Sequence, residues 1–335
     1  MNFKIQIEGA DATFQCSDEE TLIDAAARQG ISLPYSCRKG VCGNCQGHVT
    51  SGSLVPGTEG CSAETGTSSP EEHLFCKARP ASDLSIRPRS WQRVDPAAIK
   101  TLSARVFRIT QAADDVSILQ LRFATGIRIK FRAGQYLQIL LPDGQRRSYS
   151  MANAPHESDT VQLHVRHVAG GTFSDKLLQT LKSGDMLKLE LPHGDFWLRE
   201  DSGRPIIMVA GGTGFAPMRS MIEHMIRKQI QVPVHLFWGV RSPSSHYAAD
   251  LVERWQQQLT DFKYQAVSSS VLRVQDMQGY RGSLIEAVLA CGLNIRDFDV
   301  YACGALGMIS SLRTVLCNDL GLPSEHFYSD AFVSG

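Results

Sequence analysis

The sequence has no surplus of charge of either sign, which excludes one class of function. Its 335 residues include 34 Lys and Arg against 34 Asp and Glu, so the formal net charge at pH 7 is zero. Proteins that bind nucleic acid phosphates or an anionic membrane surface usually carry a basic surplus. We therefore expect neither nucleic acid nor a membrane as a partner.

Long apolar runs are also absent from the sequence. No stretch approaches the roughly 20 apolar residues that a transmembrane helix needs. Residues 3–7 alternate apolar and polar side chains where a secretory signal would have an apolar core. An uneven count of nine cysteines without such a signal favours free thiols in a reducing compartment. These features predict a soluble cytoplasmic protein.

Four of the cysteines are spaced as ligands of an iron–sulfur cluster. Cys37, Cys42 and Cys45 follow a C-x4-C-x2-C pattern, and Cys76 lies on a separate segment. This is plant-type [2Fe-2S] spacing. A zinc site is the alternative, although zinc more often takes two separate C-x2-C or Cys/His pairs. The remaining cysteines other than Cys303 are most simply small buried or surface residues: Cys16, Cys61, Cys291 and Cys317.

The segments around these cysteines predict a small α+β domain. Residues 3–7 and 12–16 predict a hairpin, and Thr21 to Asp24 has the form of a capping box for a helix that ends near Gly30. Further predicted elements are a strand at 47–54, a polar Gly- and Ser-rich loop at 57–70, a return to the cysteines at 74–76, and a strand at 84–86.

Between residues 102 and 198 the pattern changes to short alternating apolar runs separated by turn signals. Such a pattern, with one helix at 174–181, predicts an antiparallel barrel. The predicted strands lie at 104–109, 117–123, 135–141, 161–168 and 186–191.

Two stretches of this barrel carry groups that suit a flavin nucleotide. Arg147-Ser148-Tyr149-Ser150 resembles the R-x-Y-[ST] flavin motif of the ferredoxin-NADP reductase family, in which a guanidinium can neutralise a pyrophosphate, an aromatic ring can cover the flavin and a hydroxyl can reach its N5 edge. Residues 170–174 open the predicted helix, where free N–H groups suit a phosphate. The alternatives are an ordinary half-exposed strand for the first stretch and a glycine turn capped by Ser174 for the second.

From Pro205 onward the pattern is that of a parallel α/β domain. Residues 206–210 form a continuous apolar run suited to a central strand. The glycine motif, Gly211-Gly212-Thr213-Gly214-Phe215-Ala216-Pro217, then leads into a helix over 218–228. Glycines permit close approach of a pyrophosphate, and proline fits a first helical turn. We therefore predict a dinucleotide site, although the motif lacks the G-x-G-x-x-G form.

Later strand ends bear on which nucleotide binds. The strand 234–238 is followed by Arg241, which suits the extra phosphate of NADPH, whereas an acidic residue would favour NADH. A solvated surface arginine is the alternative. A strand at 264–267 ends in Ser268-Ser269-Ser270, with no carboxylate to repel a phosphate. The last predicted strand ends in Cys303-Gly304, and a buried structural cysteine is one interpretation of that thiol.

Together these motifs make the chain similar to a known family. The cysteine spacing, the R-x-Y-S form of residues 147–150 and the G-G-x-G-x-x-P form of the glycine motif resemble the iron–sulfur flavoprotein reductases of bacterial aromatic-ring oxygenases. In that family a plant-type ferredoxin is fused to a ferredoxin-NADP reductase module. The resemblance implies a multidomain α+β and α/β fold, with a β-grasp ferredoxin domain at 1–90, a linker at 91–100, an antiparallel FAD-binding β-barrel at 101–200 and a parallel-sheet NAD(P)H-binding domain at 201–335.

The resemblance also implies roles for individual residues. Arg147 and Ser174 would lie near the flavin pyrophosphate, Tyr149 on the isoalloxazine and Ser150 near N5, while Cys303 would lie beside the nicotinamide. Ser150 and Cys303 are therefore the candidate catalytic residues. The full predicted cofactor-binding set is Arg147, Ser148, Tyr149, Ser150, His164, Val165, Arg166, Gly171, Thr172, Ser174, Gly211, Gly212, Thr213, Gly214, Pro217, Arg241, Cys303, Gly304 and Phe332.

Near its end the chain departs from the family pattern at two positions. Asp330-Ala331-Phe332 resembles a Glu-x-aromatic terminus whose ring shields the flavin, with Asp in place of Glu. Ala305 stands where the family usually has proline after the C-G pair. The start of the following helix is therefore expected to differ locally.

The predicted function follows from these parts. We expect an NAD(P)H-dependent oxidoreductase that passes electrons from NADH or NADPH through FAD and the [2Fe-2S] cluster to a Rieske-type terminal oxygenase. FAD rather than FMN is implied because FMN-containing relatives often place the ferredoxin last. Alternatives with the same chemistry are the reductase of a diiron monooxygenase and that of a deoxysugar dehydrase. A different class is a flavin reductase with a zinc-stabilised interaction domain.

Overall fold

The computed structural model describes residues 1–58, 72–242, 245–268 and 280–332. Contacts divide the chain into two units, one that joins residues 1–98 to 305–335 and one that comprises residues 99–304. The predicted loop beyond Thr58, including Cys61, and the predicted Ser269-Ser270 lie outside the described residues. The C-terminal segment therefore groups with the N-terminal residues, which no sequence pattern indicated.

The described elements are as follows. The strands are β1 (Asn2–Ile7), β2 (Thr13–Ser17), β3 (Ile31–Ser32), β4 (Gln46–Ser51), β5 (Glu72–Leu74), β6 (Leu84–Pro88), β7 (Gln92–Arg93), β8 (Lys100–Ala113), β9 (Val116–Arg122), β10 (Tyr136–Leu140), β11 (Arg146–Ser150), β12 (Thr160–Arg166), β13 (Met186–His193), β14 (Ile206–Gly211), β15 (Val234–Val240), β16 (Phe262–Ser268), β17 (Tyr280–Arg281), β18 (Asp299–Ala305) and β19 (Phe327–Phe332). The α-helices are α1 (Leu22–Arg28), α2 (Leu178–Thr180), α3 (Phe215–Lys228), α4 (Ala249–Gln258), α5 (Leu284–Ala290) and α6 (Leu306–Arg313).

A mixed sheet with strand order β2-β1-β6-β4-β5 forms the centre of the first unit. β1 is antiparallel to β2 and parallel to β6, and the predicted alternation buries Ile5 and Phe14. Thr21 caps α1 by accepting the Asp24 N–H at 3.2 Å, and Gly30 follows the helix with a left-handed φ of +75°, as is common at helix ends. The predicted hairpin, helix and β-grasp fold are confirmed.

Part of the predicted linker belongs to a second, two-stranded sheet. β7 pairs antiparallel with β3, and the Val94 N–H donates to the Gly30 carbonyl at 2.9 Å. Residues Pro96–Ala98 form a 3-10 turn. Because backbone hydrogen bonds fasten residues 92–94 to the segment just before the cysteines, this part of the chain is structured rather than a free connection.

The second unit contains an antiparallel sheet with strand order β11-β10-β13-β8-β9-β12. A bridge between Met151 and Leu163 joins the two end strands, so the sheet closes into a barrel. Its interior is filled by apolar side chains such as Leu119, Leu137 and Leu189, which are inaccessible to solvent. The predicted antiparallel barrel is confirmed, and each predicted strand occurs.

The helix predicted at 174–181 differs in its start and its type. It begins as a π-helical turn at Thr172–Leu177 and continues as α2. The Gly171 carbonyl accepts both the Asp175 N–H and the Lys176 N–H at 3.1 Å. Since the bond from Lys176 spans five residues, the turn is wider than an α-helix.

A parallel sheet, with order β17-β16-β15-β14-β18 within the second unit, follows the barrel. All neighbouring pairs are parallel, and Ile207 to Ala210 at its centre are inaccessible to solvent, as the continuous apolar run predicts. β14 ends at Gly211, where the glycine motif leads into α3. None of the helices that the structure describes is long and apolar enough to cross a lipid bilayer.

Candidate cofactor sites

The cysteine loop, residues 35–45, bends three times through the left-handed region of φ. Gly40 and Gly43 have φ of +81° and +71°, and Arg38 has φ of +53°. This conformation is unfavourable for an arginine. The Arg38 guanidinium, however, donates to the Asp24 carboxylate at 2.8 Å. The ion pair ties this left-handed residue to helix α1.

The four predicted metal ligands form two pairs of thiols. A hydrogen bond between Cys37 and Cys42 lowers the pKa of Cys37 to about 5 and raises the pKa of Cys42. A hydrogen bond between Cys45 and Cys76 lowers the pKa of Cys76 and raises the pKa of Cys45. Within the described ranges, no three His, Cys, Asp or Glu side chains are grouped to hold one metal ion. Two thiol pairs suit two irons joined by bridging sulfides.

Backbone N–H groups of the cysteine loop point at these sulfurs. The Lys39 N–H donates to the Cys37 Sγ at 3.3 Å, and the N–H groups of Val41 and Cys42 also hydrogen-bond to Cys37. The Asn44 N–H hydrogen-bonds to Cys42. Donors aimed at thiolates stabilise their negative charge and tune the potential of a bound cluster. The donor set and its surroundings therefore fit a [2Fe-2S] cluster.

Strand β11 carries the predicted flavin residues. Arg147 is half-buried and donates to a neighbouring glutamine side chain, and Ser148 is exposed. The Tyr149 ring lies 5.4 Å from the Phe173 ring, and burial raises the pKa of its hydroxyl. Ser150 is buried, and its Oγ has no hydrogen-bond partner among the described residues. Because buried hydroxyls are normally paired, this Oγ fits a hydrogen bond to a bound flavin.

The turn at 170–174 is closed by its own side chains. A Cβ at Gly171 would lie 2.6 Å from the Ser174 Oγ and 2.8 Å from the Val168 carbonyl oxygen, so only glycine fits. The Ser174 Oγ accepts the Val168 N–H at 3.3 Å, and the Gly170 N–H donates to the Asp175 carboxylate at 2.8 Å. A phosphate would compete with Asp175 for that N–H. The phosphate role of this turn stays a prediction.

The predicted residues of β12 face different surroundings. The His164 Nδ1 lies 2.9 Å from the Tyr247 hydroxyl, and burial lowers the pKa of His164 to about 3. Its Nε2 has no hydrogen-bond partner among the described residues. Val165 lies in the barrel core, and Arg166 pairs with Asp115 at 3.2 Å. His164 is thus a neutral buried ring, and Arg166 has a protein partner.

The glycine motif is packed between two strand ends. A Cβ at Gly214 would lie 2.1 Å from the Cys303 carbonyl oxygen, so the end of β18 contacts the motif directly. The Trp238 Nε1 donates to the Gly212 carbonyl at 2.9 Å, and the indole ring stacks on Phe215 at 3.9 Å. The structure therefore brings together the two stretches predicted to bind the nicotinamide nucleotide.

The other predicted residues occupy varied positions. Cys303 is inaccessible to solvent, Gly304 has φ of +155°, and Pro217 is buried in the first turn of α3. Arg241 is exposed just beyond β15. Phe332 ends β19 and is 39% exposed. Of these, Arg241 has the accessible charge that a phosphate contact requires.

Three protein-family models match the chain in succession. They are the 2Fe-2S iron–sulfur cluster binding domain over residues 5–81, the oxidoreductase FAD-binding domain over 103–197 and the oxidoreductase NAD-binding domain over 208–314. Reductase component 1 of terephthalate 1,2-dioxygenase from a Comamonas species is 42% identical over 100% of this chain and 98% of its own. The chain belongs to the iron–sulfur flavoprotein reductases. It is therefore an NAD(P)H-dependent oxidoreductase with [2Fe-2S], FAD and NAD-binding domains.

Other relatives of this reductase are named for different electron-transfer systems. The CDP-6-deoxy-L-threo-D-glycero-4-hexulose-3-dehydrase reductase of Yersinia pseudotuberculosis is 34% identical over 99% of both chains. Among solved structures, the cytochrome P450 reductase GcoB of Amycolatopsis has a TM-score of 0.77 at 28% identity, with 99% of both chains covered. A ferredoxin reductase in carbazole 1,9a-dioxygenase has a TM-score of 0.70 at 26% identity, again with 99% of both covered.

Sequence reasoning missed the groups that fix the cysteine loop of this reductase. Ser36 and Asn44 are buried and hydrogen-bond to the C-terminal segment, where Arg313 also contacts Asn44. The available signal was their position, since each directly precedes a predicted ligand. Polar side chains beside metal ligands commonly orient those ligands.

Proposed function

We propose that this reductase delivers electrons to a Rieske-type aromatic-ring dioxygenase that acts on an aromatic carboxylate such as terephthalate. The observation that carries the proposal is the 42% identity, over the full length, to both terephthalate 1,2-dioxygenase reductase components. The electron transfer components of anthranilate and toluate 1,2-dioxygenase are 30% and 29% identical. The substrates in these names share an aromatic ring and a carboxylate, which supports the substrate class.

The chain's own residues bind and orient the cofactors. When bound, NAD(P)H supplies a hydride, FAD converts two-electron to one-electron transfer, and the [2Fe-2S] cluster carries single electrons. The glycine motif and the start of α3 would hold the nicotinamide dinucleotide. Arg147 would offset pyrophosphate charge, and the unpaired Ser150 Oγ would hydrogen-bond the flavin. No side chain is assigned as a general acid or base, and the neutral His164 supplies no proton.

We infer three domains with the boundaries expected from the sequence, namely ferredoxin at 1–90, linker at 91–100, flavin barrel at 101–200 and nucleotide domain at 201–335. The family-model matches at 5–81, 103–197 and 208–314 support this order. Within the proposed nucleotide domain, residues 305–335 differ from the rest because their contacts group them with residues 1–98.

A second candidate acceptor is a deoxysugar dehydrase. It is favoured by the 34% identity, over nearly the whole of both chains, to the Yersinia dehydrase reductase. The electron path within the chain would be the same, and only the docking partner would differ. The acceptor therefore has to be identified by assay.

The acceptor is tested with purified protein components. The reductase is mixed with NADH or NADPH and, separately, with a terephthalate dioxygenase oxygenase, an anthranilate dioxygenase oxygenase and a deoxysugar dehydrase, and reduction of each acceptor is followed by stopped-flow spectroscopy. We expect the fastest reduction for the terephthalate oxygenase. Faster reduction of the dehydrase would overturn the proposed partner in favour of the second candidate.

A further inference from the structure

Asn44, which directly precedes the predicted ligand Cys45, is enclosed by hydrogen bonds from distant segments of the first unit. Its Nδ2 donates to the Ser329 carbonyl at 2.6 Å, and its Oδ1 accepts from the Ser329 Oγ at 2.9 Å and from the Arg313 Nη2 at 2.8 Å. The Asn44 carbonyl accepts from the Arg89 Nη2 at 3.0 Å. The side-chain amide thus has a partner for its nitrogen and two for its oxygen.

Ser36, which directly precedes the predicted ligand Cys37, is held by the same strand. Its Oγ donates to the Asp330 Oδ1 at 2.7 Å and accepts the Ala331 N–H at 3.0 Å. Ser36 and Asn44 are 9% and 7% exposed, so water does not replace these bonds readily. Strand β19 therefore hydrogen-bonds to the cysteine loop at two residues, Ser36 before its first cysteine and Asn44 before its last.

Loss of any of these hydrogen bonds would leave a buried polar group without a partner. A buried polar group that loses its partner is destabilised more than the bond itself contributes, and neighbouring hydrogen bonds in a network strengthen one another. Three cysteines lie between or beside these two residues, and their sulfurs have to keep fixed positions to share a cluster. A displacement of Ser36 or Asn44 would move the sulfur of the cysteine that follows it.

We propose that Ser329, Asp330, Ala331 and Arg313 form a C-terminal clamp that holds the cysteine loop in its ligating conformation, with Ser36 and Asn44 as its positioning residues. The clamp sets how long a cluster is retained and at what potential it is reduced, because both depend on sulfur positions and on nearby hydrogen bonds. The proposal rests on the four cysteines being the cluster ligands. Iron and sulfide content of the unaltered protein tests that assignment separately.

The experiment measures cluster retention and cluster potential in the full-length protein. Asn44→Ala and Ser36→Ala remove the side-chain groups that bond to β19. Ser36→Thr keeps the hydroxyl, and Ser329→Ala removes only one hydroxyl of the clamp. Gln29→Ala is the matched control, since Gln29 makes three side-chain hydrogen bonds elsewhere in the first unit. Iron release to a chelator, the reduction potential of the cluster and its electron paramagnetic resonance spectrum are recorded for each.

We expect Asn44→Ala and Ser36→Ala to release iron about 10- to 100-fold faster, because lost outer hydrogen bonds at metal sites typically lower metal affinity by that factor. Both should shift the potential and the resonance spectrum, while Ser36→Thr restores them and Gln29→Ala leaves them unchanged. If Asn44→Ala does not fold, Ser329→Ala should still give a smaller shift in the same direction. Equal iron release and potential in Ser36→Ala, Ser329→Ala and Gln29→Ala would overturn the clamp.

Discussion

The cysteine loop and the glycine motif both turn the chain sharply at a predicted cofactor site, but different forces hold them. The cysteine loop is fixed by side-chain hydrogen bonds to Ser329 and Asp330, which lie 285 and 294 positions further along the chain than their partners Asn44 and Ser36. The glycine motif is fixed by close packing against Cys303 and Trp238. The first arrangement fails when a polar atom is removed, whereas the second fails when an atom is added. Substitutions of opposite kinds should therefore separate the two sites.

The largest effect is expected from Cys42→Ser in the cysteine loop. Cys42 is a predicted iron ligand, so its replacement should abolish NADH-dependent reduction of cytochrome c. Reduction of ferricyanide, a small acceptor that takes electrons from flavin directly, should be retained. Both rates are measured spectrophotometrically with FAD content held equal.

Cys291→Ser is the control for this experiment, because Cys291 is an exposed thiol outside the loop. It should retain both activities. Parallel loss of ferricyanide and cytochrome c reduction in Cys42→Ser would contradict an electron path in which the cluster follows the flavin.

Gly214→Ala should produce the complementary failure at the glycine motif. The added Cβ would lie 2.1 Å from a backbone oxygen, which no rotamer change can relieve. Overpacking of this kind costs about 1–3 kcal/mol. Relieving the clash requires the motif or the strand end to move, and a loss of about that size in nucleotide binding would lower kcat/KM for NADH about 10- to 100-fold with either acceptor. Iron and sulfide content should remain that of the unaltered protein.

Gly307→Ala is the matched control, because a Cβ there meets nothing within 4 Å. Unchanged NADH kinetics in Gly214→Ala would mean that the strand end at Cys303 moves freely and does not shape the nucleotide site. Loss of iron in that variant would mean that the two sites are not separable.

The comparison also explains what the sequence could predict. The cysteine spacing and the glycine motif are local patterns whose chemistry requires particular residues at particular separations, so both were predicted along with the barrel and the parallel sheet. The contacts of Ser36 and Asn44 with β19 depend on how distant segments fold together, and no local pattern encodes them. The π-helical turn at Thr172 was not predicted either. Its width follows from the Gly171 carbonyl, which accepts two backbone N–H groups, and no residue pattern indicates that bond.

The packing around the glycine motif should respond to acid through His164, whose ring stacks 6.2 Å from the ring of Phe215 in the motif. Its pKa is about 3 in the folded protein against 6.5 ordinarily, because burial disfavours the charged ring. Between these values the unfolded chain binds a proton that the folded chain does not. The stabilisation is therefore complete above about pH 6.5 and declines as the pH falls towards 3, with a loss of about 2 kcal/mol at pH 5.

His164→Gln removes this titration. The fall in melting temperature of the second unit between pH 7 and pH 5 should be smaller in His164→Gln than in the unaltered protein, as measured by thermal unfolding. His156→Gln, at an exposed histidine, should leave that fall unchanged. The same pH response in both variants would exclude His164 as the source of acid sensitivity.

The smallest effect is expected from Arg241→Ala, at the exposed arginine just beyond strand β15. An exposed guanidinium contributes about 1 kcal/mol to a phosphate contact in water, so KM for NADPH should rise about fivefold while KM for NADH is unchanged. Arg254→Ala, at an exposed arginine of the same unit, serves as the control. Equal changes for both nucleotides would make Arg241 a solvated surface residue, and the packed glycine motif would then bind the part of the dinucleotide that NADH and NADPH share.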